Sequence, residues 1–446
     1  MANPQDPQTA KIDTTCCIVG GGPAGMMLGY LLARAGAAVT VLEKHADFFR
    51  DFRGDTIHPS TLDLIAELGL LDAFLALPHQ QIDNFTLVLG GQSFPIADLT
   101  HLPTRCKFVA LMPQWDFLNF LAAHAAKLPT FRLLMQHEAI GLISDDRGRI
   151  IGARVKSPTG ERDIRAALTV ACDGRHSTCR TDAALPVIET GVPIDVLWFR
   201  LPRRPTDPSN VIGNINFGTL AVLINRADYF QCAFIIKKDT FATQVQPAGI
   251  EAFRACIARL VPFLADRVHE LATWDQVSLL TVQVNHLTRW HLPGLLLIGD
   301  AAHAMSPVGG IGINLAIQDA VAAARILAPY LAPAASTRSR SLSNGSSLNA
   351  GHSLGGGSSL TNAPFISELA LAQVQHRREL PTRLTQAFQV FAHRQLSRTL
   401  GNPAPVHPPR ILRILSRSQT FRRLTARFIG IGLRPEHIDP TQFPPN

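Results

Sequence analysis

Between Thr14 and Lys44 the pattern of apolar and polar positions changes period twice. Cys16, Cys17, Ile18 and Val19 form a short apolar run, Gly20-Gly21-Gly22-Pro23-Ala24-Gly25 interrupts it, and an Ala- and Leu-rich helical segment runs to about Gly36. A second run, Val39 to Leu42, closes on Glu43. This order predicts strand, tight turn, helix, strand and acid, the layout of a dinucleotide-binding βαβ unit. Gly20 permits a sharp exit from the strand. Gly22 removes a side chain where a pyrophosphate must approach backbone N–H groups, and Gly25 lets the helix sit close to the strand. The helix start offers unpaired N–H groups and a partial positive charge. Glu43 suits a ribose diol and repels a 2′-phosphate, so the expected ligand is an adenine dinucleotide without that phosphate. A hydropathy window would also mark 16–42 as a membrane span, but three glycines and a proline interrupt it after a few residues.

Farther along, a polar loop with Arg53 leads into a helix expected from about Ser60 to Leu70, with the serine as its cap after Pro59. Residues 85–99 alternate around Gly90-Gly91 and predict a β-hairpin. Pro113-Gln114 opens a helix to about Lys127, followed by strands at 131–135, 139–144, 150–155 and 168–172. From 190 to 285 long alternating segments surround one helix near 251–265, which predicts an antiparallel sheet with one covered face. Its aromatics, Trp198, Phe199, Tyr229, Phe230 and Phe234, read mostly as core. An apolar strand at 294–298 then runs into a Gly-rich turn and a helix from about Leu315 to Tyr330. Residues 334–363 are Ser/Asn/Gly/Leu low complexity and predict a disordered insertion. After it, helices are expected at 368–378, 384–399 and 409–429; the last carries apolar residues on one side and arginines on the other.

Two acids follow strand ends, Asp173 (with Gly174) and Asp300, where an open α/β sheet places ligand contacts, although Asp173-Gly174 taken alone reads first as a turn held by an Asx hydrogen bond. His303, between alanines, reads as a structural histidine. A chain of 446 residues, 46% of them apolar, has ample material for burial and predicts two intimately packed domains or one large α/β domain with an inserted lobe. The seven cysteines lack metal-ligand spacing, which points to a reduced, cytoplasmic setting with neither structural disulfides nor metal. The net charge of +8 is uneven: twelve arginines and one acid, Glu379, lie between Arg377 and Arg434, a local +11 that leaves −3 elsewhere. That distribution argues against a nucleic-acid footprint over the whole chain. The last basic helix could lie on an anionic membrane, but a cap helix burying its apolar face is the preferred reading.

The glycine turn with Glu43, the Asp173-Gly174 segment, and Gly299-Asp300 with Pro307 and Gly312 together resemble the class A flavoprotein monooxygenases, the para-hydroxybenzoate hydroxylase family, over roughly residues 13–330. The resemblance implies an α/β, mixed α+β fold: a Rossmann-like FAD-binding domain (13–80, 100–185 and 286–330), an inserted antiparallel-sheet substrate domain (81–99 and 186–285) and Arg-rich C-terminal helices (364–446). It implies that Gly20, Gly22 and Gly25 hold the FAD pyrophosphate and Glu43 the adenosine ribose. Arg53 and Gln114 match cofactor-contacting positions. Asp173, Gly174 and Arg180 match a segment that touches FAD and serves reduced nicotinamide. Asp300 would bind the ribityl chain, with Pro307, Gly310, Gly312, Ile313 and Asn314 against the flavin ring.

The activity so implied consumes NADPH or NADH and dioxygen and hydroxylates or epoxidises a hydrophobic, aromatic-type small molecule through a flavin hydroperoxide. No residue in 190–285 identifies a catalytic base or a substrate. The alternatives are a non-oxygenating flavin oxidoreductase of the same fold and a peripheral membrane flavoprotein module. The Trp-x-Trp-x-Ile-Pro segment of flavin halogenases is missing, which counts against halogenation.

Overall fold

The computed structural model describes residues 12–49, 56–208, 212–332, 366–402 and 404–444, so Arg53 and the low-complexity stretch 334–363 lie outside the described residues. Strand Ile12–Val19, helix Pro23–Arg34 and strand Val39–Glu43 form as the periodicity predicts. They sit in an eight-stranded sheet whose parallel centre runs Leu295–Leu297, Gly160–Ala171, Ile12–Val19, Val39–Glu43, Phe131–Met135. Strands Glu138–Ser144 and Ile150–Ser157 extend Gly160–Ala171 as an antiparallel meander. Residues 16–19 are all buried, as expected for a parallel sheet covered on both faces. One cover is helix Pro23–Arg34, packed between Gln114–Ala125 and Ile311–Leu331.

Register explains why distant segments meet. Val19 pairs with Ala171, and Ala171 pairs with Leu297. The three strands therefore end together, and Gly20, Asp173 and Asp300 follow those ends within a few residues.

A second sheet of seven strands orders Ser278–Leu280, Ile194–Pro202, Tyr229–Lys237, Thr219–Asn225, Ile212–Asn216, Asn84–Leu89, Gln92–Asp98. The hairpin expected at 85–99 joins it through parallel pairing of Asn84–Leu89 with Ile212–Asn216. Both faces of this sheet are apolar. Leu197, Phe199, Phe230, Phe234 and Leu223 pack under helix Ile250–Leu260, where Phe253 meets Phe199 and Phe234 edge-on at 5.5 and 5.1 Å. Their alternates Val196, Trp198, Val222, Ala233 and Ile235 face a cavity instead. Trp198 is thus on the cavity wall, and Tyr229 lies under the Arg200 guanidinium at 5.1 Å.

Helices differ from expectation in three places. The helix expected from Ser60 runs Pro59–Glu67 with His58 at the cap and no side-chain cap bond, because Pro59 with its fixed φ already occupies the first turn. The two helices expected around Pro381 are one, Glu368–Ser397. Arg378, Thr382, Thr385 and Gln386 are buried on both sides of the proline, so tertiary packing outweighs the lost backbone bond. The single helix expected at 409–429 divides into Arg410–Arg417 and Gln419–Gly430, because Ser418 is extended and its hydroxyl accepts from Phe421 N–H at 3.3 Å.

Candidate cofactor and substrate site

One cavity of about 1040 Å³ runs from the glycine turn to the inner face of the seven-stranded sheet. At its first end the backbone is locked. Gly20 has φ +106°, and a Cβ there would stand 2.4 Å from the Cys172 carbonyl oxygen. A Cβ on Gly25 would stand 2.0 Å from the Gly20 carbonyl oxygen. Gly25 itself does not line the cavity; it lets the helix close on the turn. Gly22, the N-cap, has nothing within 4 Å of its Cβ direction, so the helix N-terminus opens onto free space. Such a terminus favours a negatively charged group.

Glu43 is buried at the end of its strand and lines the cavity. Its carboxylate accepts from Gly21 N–H (3.2 Å) and His45 N–H (3.0 Å), with His45 Nδ1 at 2.6 Å. Gln114 opens its helix on the same wall. Asp173 Oδ2 accepts from Cys179 N–H at 3.1 Å and so ties the loop to the helix Thr178–Asp182. Asp173 Oδ1 is buried with no hydrogen-bond partner among the described residues. An orphaned acceptor on a cavity wall is a costly feature unless a ligand donor meets it. Gly174, at φ +83°, has open space beside it.

Arg180 is placed differently from the sequence expectation. Its guanidinium turns inward to the carbonyls of Ala301 (3.2 Å) and Arg175 (2.5 Å), and it is not among the residues lining the cavity. Arg175 lines it instead, with its guanidinium 3.8 Å from Asp300, a half-buried acid on the turn Gly299–Ala301. Arg175 stands in the same Asp-Gly segment, but nothing in sequence tells which of two nearby arginines faces out.

Pro307, Gly310, Gly312 and Ile313 line the middle of the cavity. Gly310 has φ +62°, and a Cβ would meet Thr56 Oγ1 at 2.0 Å. Gly312 has no such constraint; its nearest neighbour would be Met305 Cβ at 3.6 Å. Asn314 does not reach the cavity. Its amide is spent inside the protein: Oδ1 accepts from His58 N–H (2.9 Å) and Thr61 Oγ1 (2.8 Å), and Nδ2 donates to the carbonyls of Thr56 (2.9 Å) and Gly310 (3.0 Å). Asn314 straps the Gly309-Gly310 turn to the helix at Pro59.

The sequence reading missed the groups that hold the 299–308 loop from behind. His303 Nε2 lies 2.5 Å from Asp319 Oδ2, and its ring packs on Trp290 at 4.9 Å, in keeping with a structural histidine. Asp319 also accepts from Gly299 N–H and Arg378 Nε, and Arg378 continues to Glu436. Burial pushes the Asp319 carboxyl up, but the facing His303 and Arg378 outweigh it and hold it below the usual carboxylate range. From helix Glu368–Ser397, Gln386 donates to the carbonyls of Asn285 and Ala304, and Gln389 to those of Ser306 and Val308. His393 Nε2 meets Ser306 Oγ at 2.8 Å, and burial lowers its pKa to about 4, so the ring is neutral at neutral pH. The only signal was a polar stripe at helical spacing, 386, 389, 393.

The far end is apolar. Val196, Trp198, Ile215, Val222, Ala233 and Ile235 project from the sheet, and Phe388 and Phe391 of the long helix stand across from them.

The family described as FAD binding domain matches residues 13–341. A 6-methylpretetramide 4-monooxygenase of Streptomyces rimosus is 30% identical over 416 residues, 93% of this chain and 91% of that one. A rifampicin monooxygenase of Streptomyces venezuelae is 27% identical over 68% of this chain, which spans only 61% of that relative's length. The crystal structure of PqsL, titled a probable FAD-dependent monooxygenase from Pseudomonas aeruginosa, superposes with a TM-score of 0.68 at 20% identity, covering 87% of this chain and 97% of that one, and supports the fold. Three strand ends converging on one cavity, the full-length relative and the family match lead to one assignment: the chain belongs to the FAD-binding-domain family and is a flavin monooxygenase of the class A type.

Proposed function

We propose that the protein consumes NADPH or NADH and dioxygen to hydroxylate or epoxidise a hydrophobic, aromatic-type small molecule. The observation that carries this reading is the continuity of the cavity, polar and backbone-lined at Gly20–Glu43 and apolar at the seven-stranded sheet. FAD fits the first end. The free space before Gly22 suits its pyrophosphate, the Glu43 carboxylate its ribose, and the orphaned Asp173 Oδ1 a hydroxyl donor. Asp300 and Gln114 stand on the same wall for further hydroxyl and carbonyl groups.

When bound, FAD supplies hydride acceptance and dioxygen activation. The chain's own work is positional. Helix Ile311–Leu331 aims its first turn into the cavity, where its N–H groups can stabilise negative charge. The Asn314 strap and the Gln389 clamp fix Pro307–Gly310 at the junction of the two ends. The apolar sheet face excludes water from the reacting centre and orients a substrate by shape. The likeness to a 6-methylpretetramide 4-monooxygenase makes that compound the first candidate to try.

The test follows pyridine-nucleotide oxidation, oxygen uptake and peroxide release together across a panel of aromatic compounds. A true substrate stimulates oxidation without peroxide and gains one oxygen atom from dioxygen. Product formed at an undiminished rate without dioxygen would sink the reading.

A further inference from the structure

The C-terminal helices present a surface that the cavity chemistry does not use. In Arg410–Arg417, Ser416 is buried, whereas Ile411 and Ile414 are 65% and 69% exposed. Arg410, Arg413 and Arg417 repeat at helical spacing on the adjoining flank. In the next helix Leu424 is 63% exposed, and Phe428 packs edge-on to Phe388 at 4.7 Å. Leu380, Leu384, Phe388 and Phe391 continue the exposed apolar stripe along the long helix, and its last two members line the cavity. The stretch expected as a cap helix at 409–429 buries its apolar face only in part: Leu412, Ala426 and Ile429 pack on the protein while Ile411, Ile414 and Leu424 stay exposed, and an exposed apolar surface of this extent marks an interaction site.

Its charge narrows the partner. Arg413, Arg417 and Arg422 border a separate cavity of about 560 Å³ beneath Gln92–Pro95, and Arg422 Nε is buried without a hydrogen-bond partner among the described residues. Asp98 feels the Arg422 charge but is held by the Thr100 hydroxyl at 2.6 Å. Among the described residues no carboxylate forms an ion pair with Arg410, Arg413, Arg417, Arg422, Arg423 or Arg427. A two-fold contact with a second copy would set this basic face against itself. A nucleic acid would meet the arginines but leave the apolar stripe in water.

We propose that this face docks on an anionic phospholipid bilayer, with Ile411, Ile414 and Leu424 entering the acyl boundary and Arg413, Arg417 and Arg422 meeting lipid phosphates. The cavity then opens toward the membrane beside Phe388 and Phe391, so an apolar substrate passes from the bilayer to the site without crossing water. The docking stands on the surface alone. It holds or fails independently of which compound is oxidised.

The experiment is co-sedimentation of the flavin-loaded full chain with two vesicle types, phosphatidylcholine alone and phosphatidylcholine with about a third phosphatidylserine. Binding is expected to the second, about tenfold or more above the first, and to fall with added salt. The triple variant Arg413→Gln/Arg417→Gln/Arg422→Gln should lose about tenfold or more of that binding. Ile411→Ser/Ile414→Ser/Leu424→Ser should lose it as well, with circular dichroism and flavin absorbance reporting an intact fold in both. Equal binding to the two vesicle types, parental binding by either variant, or a dimer seen by light scattering that these substitutions dissolve, overturns the proposal.

Discussion

The two ends of the cavity recognise their ligands by opposite means. At the glycine turn nearly every contact is backbone or a fixed polar atom: Gly20 is pressed on Cys172, Gly25 on Gly20, and Glu43 is tied to Gly21 and His45. At the seven-stranded sheet the wall is mostly apolar side chain, set by simple alternation along the strands. A pyrophosphate demands directed donors at fixed places, so one displaced atom matters. An apolar ring demands volume and dryness, so many side-chain sets serve. Substitutions at the first end should therefore strike fold and flavin together, and those at the second should strike substrate alone.

The largest expected effect is Gly25→Ala. A single methyl would sit 2.0 Å from a backbone oxygen, and neither chain segment can yield without moving the sheet. Destabilisation of about 3 kcal/mol or more is expected, read as loss of soluble yellow protein. A variant with parental melting and flavin absorbance would show that the turn is not tightly held. Asp173→Ala comes next: it removes the orphaned acceptor, and the affinity for FAD should fall about 10- to 100-fold. Because the Cys179 N–H bond is lost too, Asp173→Asn is the sharper variant. If both hold FAD as tightly as the parent, Oδ1 faces something other than the cofactor.

At the other end Val222→Phe fills cavity space without meeting the flavin region. The expected result is a KM for the substrate raised about tenfold with unchanged flavin content. Flavin loss in this variant would mean that the two ends are not separable.

The same contrast governs what could be read in the sequence. Gly20, Gly22, Gly25 and Glu43 were legible because the unit they belong to closes within about 25 residues and its period shifts are local. The alternating strands of 190–237 were legible for the same reason. Asn314 was not: three of its four side-chain bonds reach Thr56, His58 and Thr61, some 250 residues away in the chain. Arg180 and Arg175 differ only in which way each side chain turns, a matter of tertiary packing. Pro381 reads as a helix end, and only the burial of Arg378 and Gln386 around it keeps the helix whole. The inner apolar face of the sheet shows the same blindness, since alternation cannot tell a covered face from one that borders a cavity.

Between the two ends, His393 and Ser306 give a pH-dependent handle on the junction. The folded-state pKa of His393 is about 4 against an ordinary 6.5, so the unfolded chain binds the extra proton first as pH falls. Stability from this group is complete above 6.5 and is lost progressively from 6.5 down to about 4. His58, also lowered to about 4 by burial, adds to the same window. The melting temperature should drop by a few degrees across it, and His393→Gln should flatten part of that drop. An unchanged slope in the variant would assign the dependence elsewhere.

The smallest effect is expected at Gly312, and it separates glycines that the sequence presents alike. Gly310 cannot take a side chain, because its φ is +62° and a Cβ would collide with Thr56. Gly312, two residues on, lies within the first turn of Ile311–Leu331, where Ala is the better helix former, and its Cβ would make ordinary contact with Met305 at 3.6 Å. Gly312→Ala should hold stability within about 0.5 kcal/mol of the parent, or raise it slightly, because a glycine's extra unfolded-state freedom is removed without strain. Thermal melting checks this, and titration with FAD reads whether the added methyl reaches the ligand. If melting is preserved while FAD affinity falls, the glycine serves close approach of the ligand; if melting itself collapses, the helix start is tighter than its neighbours imply. Either outcome tells whether the middle of the cavity follows the backbone-lined end or the forgiving apolar one.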